Sequence, residues 1–433
     1  MALREAVSVA SPAPTRTRYW VVVFAVVLAV IQYIDRVCIS EAEPLIAADL
    51  RLLPHQMGYV FSAFTFAYAL FEIPSGWLGD RIGPRKVLLR IVLWWSFFTA
   101  ATGWAWSGLS LVTTRFLFGA GEAGCFPNLT KALHRWLPSR EWTRAQGVLW
   151  MSARWGGAVT PLLVYFTLQY VHWRTAFLLF GLLGVAWAVA FFIWYQDDPR
   201  THPGMNAAEA ALLPQEPPAA PHHFAVPWAL FLRSKTVWCL CGQYAALSYV
   251  WYFFITWFPK YLMEARGFDM KQSAWLAGTP LLLGGFGSLA AGWLGPWLGR
   301  RVGVRPARCG LGAFGFVTGA ALLVVSTRLA DPYLAVGAIA LVSFFNDLAL
   351  PGSWAACMDV GGAFVATLGG AMNMMGNFGG MLSPIVAGYV VEQTGSWTGT
   401  FYVAAGAYVL GALCWLALDP VTPLEEQARG ALA

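Results

Sequence analysis

Apolar stretches of about 20 residues recur along the whole chain, and this feature limits the possible folds more than any other. A helix of that length crosses the ~30 Å hydrocarbon core of a bilayer. Of the residues, 58% are hydrophobic and only 12% are charged, whereas a soluble domain has about 25% charged residues. We therefore predict an all-α membrane protein with twelve transmembrane helices. These spans begin near Tyr19, Met57, Val87, Leu109, Gln146, Trp173, Val237, Gln272, Ala307, Leu334, Phe364 and Thr398.

Short repeats divide the chain into two halves. "GWLG" occurs at residues 76–79 and again at 292–295, and "GGAVTP" at 156–161 is echoed by "GGMLSP" at 379–384. Both spacings are close to half the chain, and an even number of spans in each half makes the repeats parallel. We predict two parallel-related six-helix bundles. The predicted boundaries are an N-terminal tail at 1–18, a first bundle at 19–195, a linker at 196–236, a second bundle at 237–418 and a C-terminal tail at 419–433.

The distribution of Lys and Arg predicts the orientation. Most of these residues fall on one set of loops, together with both termini and the linker. Because cytoplasmic loops are enriched in Lys and Arg, we expect both termini in the cytoplasm. We also expect the protein to lie in the lipid bilayer of the cell (inner) membrane as a monomer. The net charge of +6 follows from this distribution and gives no support for nucleic-acid binding, which needs a basic face with stacking aromatic residues.

Spans 1 and 4 each contain two charged residues: Asp35 and Arg36 in span 1, and Arg115 and Glu122 in span 4. A charge inside a bilayer is costly unless it is paired or faces water, so it is rarely kept without use. From the helical rise we expect Asp35, Arg36 and Arg115 roughly 9 Å below the outer surface, where they could pair, with Glu122 near the midplane. Two plainer interpretations stay open: Asp35 and Arg36 cap span 1 and reach water, or Arg115 and Glu122 form a structural ion pair.

Several motifs resemble those of one transporter family. "GWLGDRIGPRK" at 76–86 resembles the loop signature between spans 2 and 3 of the major facilitator superfamily. Further stretches are similar to its anion:cation symporter family, which includes bacterial sugar-acid transporters: "YIDR" at 33–36, "RFLFGAGEAGCFPN" at 115–128, "TWFPKYL" at 256–262 and "DDPRTHPGMNAAEAALL" at 197–213. The resemblance covers essentially the whole chain and implies the major facilitator fold.

The resemblance also implies roles for the charged residues. Arg36 would contact the substrate carboxylate, Asp35 and Glu122 would take part in proton coupling, and Arg115 would balance their charge. The chemistry agrees, because a guanidinium fork matches a carboxylate and a partly shielded carboxylic acid can carry a proton.

Four polar side chains complete the predicted substrate site. Tyr33 and Tyr68 resemble family positions that contact substrate hydroxyl groups, while Asn373 and Asn377, one turn apart in span 11, offer amides from the other half. Ordinary helix packing is the alternative for all four.

The loop between spans 2 and 3 is the predicted cytoplasmic gate. The resemblance implies that its acidic and basic residues latch that side. In the second half, Pro296 stands where Asp80 stands in the first, so we expect a weaker latch there although Arg300 and Arg301 keep the charge. The predicted gate residues are Gly76, Gly79, Asp80, Arg81, Gly83, Arg85 and Lys86.

Arg154 in span 5 lies at the depth predicted for Glu122, so it should face a carboxylate. Three interpretations stay open: it pairs with Glu122, it binds the substrate directly and with Arg36 favours an anion with two carboxylates, or it is buried against backbone carbonyls. Glu72 is either a gate or a partner of the region around Arg81. For Asp347, mid-span in span 10, we expect a paired or cavity-facing position without a defined role.

The predicted function is proton-coupled symport of small organic anions, most of all hexonates, hexuronates or aldarates, by alternating access. The alternative within transport is a proton-independent facilitator or exporter of organic anions. A membrane enzyme would need a nucleophile with its base or a clustered metal set, and the sequence has neither pattern. A receptor without transport would not require the four charged residues in spans 1 and 4. No cofactor is expected, only the proton as coupling ion.

Overall fold

Helices make up nearly all of the regular structure. The computed structural model describes residues 13–214, 226 and 228–430, and no β-strand occurs among them. The first half contains α1 (Tyr19–Leu50), α2 (Pro54–Ile82), α3 (Pro84–Thr102), α4 (Gly108–Glu122), α5 (Cys125–Trp136), α6 (Ser139–Tyr170) and α7 (Trp173–Trp194). Two short helices follow, α8 (Ala207–Ala210) and α9 (Trp228–Arg233). The second half contains α10 (Lys235–Thr256), α11 (Phe258–Arg266), α12 (Met270–Ala277), α13 (Thr279–Val302), α14 (Val304–Arg328), α15 (Pro332–Gly361), α16 (Val365–Thr394), α17 (Thr398–Ala417) and the short α18 (Leu424–Gly430).

The predicted fold class is confirmed: the protein is an all-α, multi-pass membrane protein with twelve transmembrane helices in two bundles. Large apolar side chains such as Leu109, Tyr170 and Ile193 remain exposed on its outer surface, as lipid contact requires. By length and composition alone, six described segments are apolar enough to cross a membrane: Tyr19–Leu50, Trp173–Trp194, Lys271–Val302, Val304–Arg328, Pro332–Thr394 and Thr398–Ala417.

The predicted domain boundaries stay a prediction. Most of the tail at 1–18, part of the linker at 196–236 and the end of the tail at 419–433 lie outside the described residues. Within the described part of the linker, Glu209 is fully buried and accepts hydrogen bonds from Thr15, Thr17 and Arg18. The linker therefore packs against the start of α1.

Helix α1 is longer than the sequence predicts. The prediction places Asp35 and Arg36 near the outer end of span 1, but α1 continues to Leu50, so both residues lie near its middle. The continuation is amphipathic, because Ala42 and Ile46, one turn apart, are buried. Both charges therefore lie farther from the end of their helix than the sequence predicts, while the expected depth of about 9 Å below the outer membrane surface stays a prediction.

Span 4 consists of two helices, α4 and α5, separated at Gly124. Gly124 has φ +80°, and a Cβ there would collide with the side chain of Ser75 on α2. Asn128 Nδ2 bridges the break by donating to the carbonyl oxygens of Ser75 and Gly124, at 3.2 and 2.8 Å. The break makes Glu122 the last residue of α4.

The two halves meet through close helix crossings at small residues. In one crossing, a Cβ on Gly147 of α6 would lie 2.7 Å from the carbonyl oxygen of Ser288 on α13. In the other, a Cβ on Gly76 of α2 would collide with the carbonyl oxygen of Ala366 on α16. Small residues allow such close approach between membrane helices. The two halves therefore contact each other where α6 packs on α13 and where α2 packs on α16.

Candidate functional site

Glu122 accepts hydrogen bonds from two side chains of α1. Gln32 Nε2 donates to Glu122 Oε1 at 2.6 Å and Arg36 Nε donates to the same oxygen at 2.8 Å. Arg36 Nη2 also lies 2.6 Å from Oε1, whereas Oε2 has no hydrogen-bond partner among the described residues. The side chain of Glu122 is 0% exposed and that of Arg36 is 22% exposed. The pair therefore uses only one carboxylate oxygen, and its arginine remains accessible.

Aromatic rings of both predicted tyrosines surround Arg36. Its guanidinium carbon lies 4.6 Å from the ring centre of Tyr68, 5.2 Å from Phe64 and 5.9 Å from Tyr33. Such rings attract a cation and fix its position. Arg36 is therefore held in place by its surroundings as well as by Glu122.

Asp35 and Arg115 are both buried, at 0% and 2% exposed. Neither carboxylate oxygen of Asp35 and neither Nε nor Nη1 of Arg115 has a hydrogen-bond partner among the described residues. Arg115 stacks on Phe118 at 4.2 Å and is attracted electrostatically by Asp35 and Glu122. The interpretation that Asp35 and Arg36 cap span 1 is wrong, because both lie inside the bundle. The direct Arg115–Glu122 ion pair is also not formed; Arg36 is the ion-pair partner of Glu122.

Side chains of the second half reach the same region. Asn373 Nδ2 donates to Glu72 Oε1 at 2.6 Å and to the Tyr68 hydroxyl at 3.3 Å, joining α16 to α2. Asn377 Oδ1 accepts from the Tyr252 hydroxyl at 3.1 Å. Glu72 is fully buried and faces Asn373, so the expected partnership with the region around Arg81 is wrong. The predicted groups of the two halves thus meet at Tyr68.

Arg154 does not pair with Glu122, which corrects one of the three interpretations. Its Nε and Nη2 donate to Oδ2 and Oδ1 of Asp347 at 2.6 and 2.9 Å, a two-bond contact between α6 and α15. The indole ring of Trp251 covers the guanidinium, 3.3 Å from ring centre to guanidinium carbon. The position along each span predicts that Arg154 and Glu122 lie at the same depth in the membrane. It does not predict which neighbouring helix faces each of them. Arg36 and Gln32 of α1 are the neighbours of Glu122 instead.

Asp347 is held by a chain of buried groups. Asn346 Nδ2 donates to Asp347 Oδ1 at 2.9 Å, and the Tyr408 hydroxyl donates to Asn346 Oδ1 at 2.8 Å. Asn346, Asp347 and Tyr408 are all fully buried. The expectation that Asp347 is paired therefore agrees with the structure, and its partner lies in the other half.

Asp80 joins the two halves at the end of the bundle that carries the linker, which we call the linker end. It accepts from Lys131 Nζ at 2.5 Å, from the backbone nitrogens of Ala366 and Thr367 at 3.1 and 2.7 Å, and from Thr367 Oγ1 at 2.6 Å. Two of these three partner residues begin α16, so this carboxylate ties α2 to the start of a second-half helix. The two halves are thus in direct contact at the linker end.

The other gate residues pack mainly within the first half. Gly83 has φ +87°, and a Cβ there would lie 2.7 Å from the Asp197 carboxyl carbon. Asp197 accepts from the backbone nitrogen of Arg85 at 3.1 Å, and burial raises the pKa of Asp197 above the usual aspartate value. Arg81 stacks on Trp77 at 5.2 Å, and Lys86 is exposed. Gly79 leaves room for Asn128.

The corresponding position in the second half has a cavity instead of a latch. A cavity of about 240 Å³ lies between α6, α13, α14 and α15 beside Pro296. Arg300 lines it, and among the described residues neither Arg300 nor Arg301 forms an ion pair with the first half. This asymmetry agrees with the weaker latch that the sequence predicts.

The family model of the Major Facilitator Superfamily matches residues 25–384. The chain belongs to this superfamily. It is 35% identical to a probable sulfoacetate transporter of Cupriavidus necator, over 95% of this chain and 96% of the relative. It is 33% identical to a probable galactarate/D-glucarate transporter of Escherichia coli (93% and 94% covered) and 31% identical to a hexuronate transporter of Bacillus subtilis (91% and 92% covered).

The solved structures show the same fold. A proton:xylose symporter of the major facilitator superfamily superimposes with a TM-score of 0.74 at 12% identity, covering 95% of this chain and 98% of the other. The superfamily predicted from the motifs is confirmed, and the protein is a transporter and not an enzyme.

Sequence reasoning missed several residues of the site. Gln32 lies one helical turn before Arg36, so its position in an apolar run was a usable signal. Trp251, Tyr252 and Tyr408 are aromatic residues in apolar spans, where nothing in the pattern separates them from core residues.

Proposed function

We propose that this transporter imports small organic anions, sugar acids most of all, together with protons across the cell membrane, with both termini in the cytoplasm. The observation that carries the proposal is the one-oxygen contact between Arg36 and the buried Glu122. The similarity to transporters named for galactarate/D-glucarate and for hexuronate supports an acidic sugar as substrate.

Competition between Glu122 and the substrate carboxylate for Arg36 couples substrate transport to proton transport. A substrate carboxylate binds the guanidinium with two parallel hydrogen bonds, better than the contact that Glu122 makes. Glu122 then loses its direct ion pair in a fully buried position, where an unpaired carboxylate is costly. Substrate binding therefore loads a proton onto Glu122, and release of that proton restores the Arg36 contact and expels the substrate.

Asp35 and Arg115 keep the charge of this region balanced. Asp35 is fully buried without a carboxylate–arginine ion pair among the described residues, and Arg115 supplies a fixed positive charge near both acids. The hydroxyl groups of a sugar acid would face Tyr33, Tyr68, Asn373 and Asn377, which offer both donors and acceptors. Rocking of the two halves about these groups opens the linker end when the contacts of Asp80 separate.

The direct test is uptake of radiolabelled D-glucarate or D-glucuronate into proteoliposomes with an imposed inward proton gradient. We expect accumulation against the substrate gradient, which collapses when a protonophore is added. Uptake that equilibrates but never accumulates, with or without the gradient, contradicts symport and favours the facilitator or exporter.

Two variants separate the roles. Glu122→Gln should abolish gradient-driven accumulation while it keeps counterflow exchange, because glutamine can hydrogen-bond to Gln32 but cannot release a proton. Arg36→Ala should abolish binding itself. Glu264→Gln is the matched control, because Glu264 is an exposed acid paired with Lys260 outside the site. Normal affinity in Arg36→Ala would place the carboxylate elsewhere.

A further inference from the structure

Arg154 is a buried arginine of the central region besides the partly exposed Arg36, and we infer that it forms a second anion site, so that the preferred substrate carries two acidic groups. The inference rests on the proposed function and specifies its substrate class. One acidic group would bind Arg36, and the other would bind the part of Arg154 that Asp347 leaves free.

The structure holds one edge of the Arg154 guanidinium. Asp347 takes Nε and Nη2, and Trp251 covers a face. The chain through Asn346 to Tyr408 fixes Asp347 in turn. Because all these groups are already ordered, little conformational entropy is lost when an anion binds to the guanidinium.

The opposite edge of Arg154 is free. Nη1 has no acceptor among the described residues, although every other N–H-bearing nitrogen of this guanidinium has one. The side chain of Arg154 is 3% exposed, so it is not completely enclosed by protein. Arg154 therefore offers a donor edge to a ligand while it keeps its pair with Asp347. No buried ion pair has to be broken, which would be costly.

Both arginines lie beside the same tyrosine. The ring centre of Tyr33 is 5.9 Å from the guanidinium carbon of Arg36. Its ring also packs on Gly157, one turn after Arg154, and its hydroxyl interacts electrostatically with Arg154. Tyr33 thus lies near both guanidinium groups, and in the proposed site the two acidic groups of one small anion bind on either side of this residue.

The names of the relatives leave this point open. Sulfoacetate and galactarate each carry two acidic groups, whereas a hexuronate carries one. Each of these anions could bind to Arg36 through one acidic group. The free edge of Arg154 is therefore the feature of this chain that favours substrates with two acidic groups over substrates with one. Asp347 is a positioning residue in this scheme and does not touch the substrate.

The experiment compares matched pairs of ligands by equilibrium binding to the purified full-length protein in detergent. D-Glucarate and D-gluconate differ in one terminal carboxylate, and sulfoacetate and isethionate differ in the same way. We expect the wild type to bind the dianion about tenfold to hundredfold more tightly in at least one pair, the gain from hydrogen bonds between charged groups.

Two variants assign the preference to Arg154. Arg154→Lys keeps a charge opposite Asp347 but removes the second donor edge. The double variant Arg154→Gln with Asp347→Asn removes both charges and leaves no unpaired one, so it protects the fold. Both should lose the dianion preference and still bind the monoanion. The control, Arg308→Gln with Asp359→Asn, neutralises an ion pair within the second half at the linker end and should keep the preference.

The failures are distinguishable. Equal binding of both members of each pair by the wild type overturns the second anion site and leaves the proposed function standing. An unchanged preference in both Arg154 variants also overturns it. Binding of none of the four anions contradicts the proposed function, and the second site with it.

Discussion

Two arginine–carboxylate pairs lie inside the bundle, and they differ in how fully their polar atoms are used. Arg36 and Glu122, both in the first half, meet at one carboxylate oxygen, and the arginine side chain stays 22% exposed. Arg154 and Asp347 join the two halves through both oxygens and are 3% and 0% exposed. Among the described residues, one carboxylate oxygen of Glu122 accepts no hydrogen bond, whereas both carboxylate oxygens of Asp347 accept hydrogen bonds.

The difference separates exchange from positioning. A buried carboxylate that holds its arginine by one oxygen loses little when a better anion arrives, so Glu122 can be replaced on Arg36. A pair with two bonds and a further donor from Asn346 would leave an uncompensated charge if it broke, so it keeps its geometry. One pair is therefore suited to take part in the transport cycle, and the other to fix a side chain.

The largest expected effect is on stability. Arg154→Ala leaves Asp347 as an unpaired buried charge and should lower the free energy of unfolding by about 3–5 kcal/mol. Arg36→Ala should cost clearly less, because Arg36 is partly exposed and contacts only one oxygen of Glu122. Chemical denaturation of both variants in the same detergent, followed by tryptophan fluorescence, measures the difference. Equal losses would remove the distinction between the two pairs.

The next effect tests whether another fully used carboxylate, Asp80, closes the linker end. Asp80→Asn keeps the size but leaves one acceptor oxygen for donors from three residues, so the closed state should be less populated. We expect about tenfold faster maleimide labelling of a cysteine introduced at the buried Ala366, corresponding to about 1.4 kcal/mol. The label is counted relative to the same chain without the introduced cysteine.

The control for Asp80 is Asp359→Asn. Asp359 pairs with Arg308 at the same end of the bundle, but both residues belong to the second half. In Asp359→Asn, the cysteine introduced at Ala366 should therefore be labelled at the same rate as in the chain that keeps Asp359. Equal acceleration in both variants would mean that loss of any ion pair at this end loosens the helices, and that Asp80 is no latch between the halves.

The sequence predicts the fold because bilayer thickness and repeat spacing are one-dimensional constraints. Twelve apolar spans and two matching halves can be read from them directly. The extension of α1 and the break at Gly124 cannot, because they depend on tertiary packing: Ala42 and Ile46 find a buried face, and Ser75 approaches the backbone at Gly124.

The candidate site was predictable in its members but not in its pairs. Arg36, Glu122 and Arg154 attract attention because a charge in a span needs a reason. Which carboxylate each arginine meets depends on which helices are neighbours, and depth along a span does not contain that information. The sequence thus indicated that Arg154 faces a carboxylate, while only the packing of α6 on α15 identifies Asp347.

The smallest expected effect comes from Tyr408, the residue farthest from Arg154 in the series of hydrogen bonds that holds Asp347. Tyr408→Phe removes one hydrogen bond to Asn346, worth about 1 kcal/mol, and leaves Arg154 and Asp347 in place. If Asp347 and its hydrogen-bonded neighbours position Arg154, this loss should lower the preference for D-glucarate over D-gluconate by about fivefold without changing the affinity for D-gluconate.

Tyr261→Phe is the matched control, because the Tyr261 hydroxyl accepts a hydrogen bond from Arg266, outside the site. A lower affinity for both acids in Tyr408→Phe would indicate a general loosening of the bundle. An unchanged ratio would show that the Arg154–Asp347 pair keeps its geometry without Tyr408, and that the positioning role ends at Asn346.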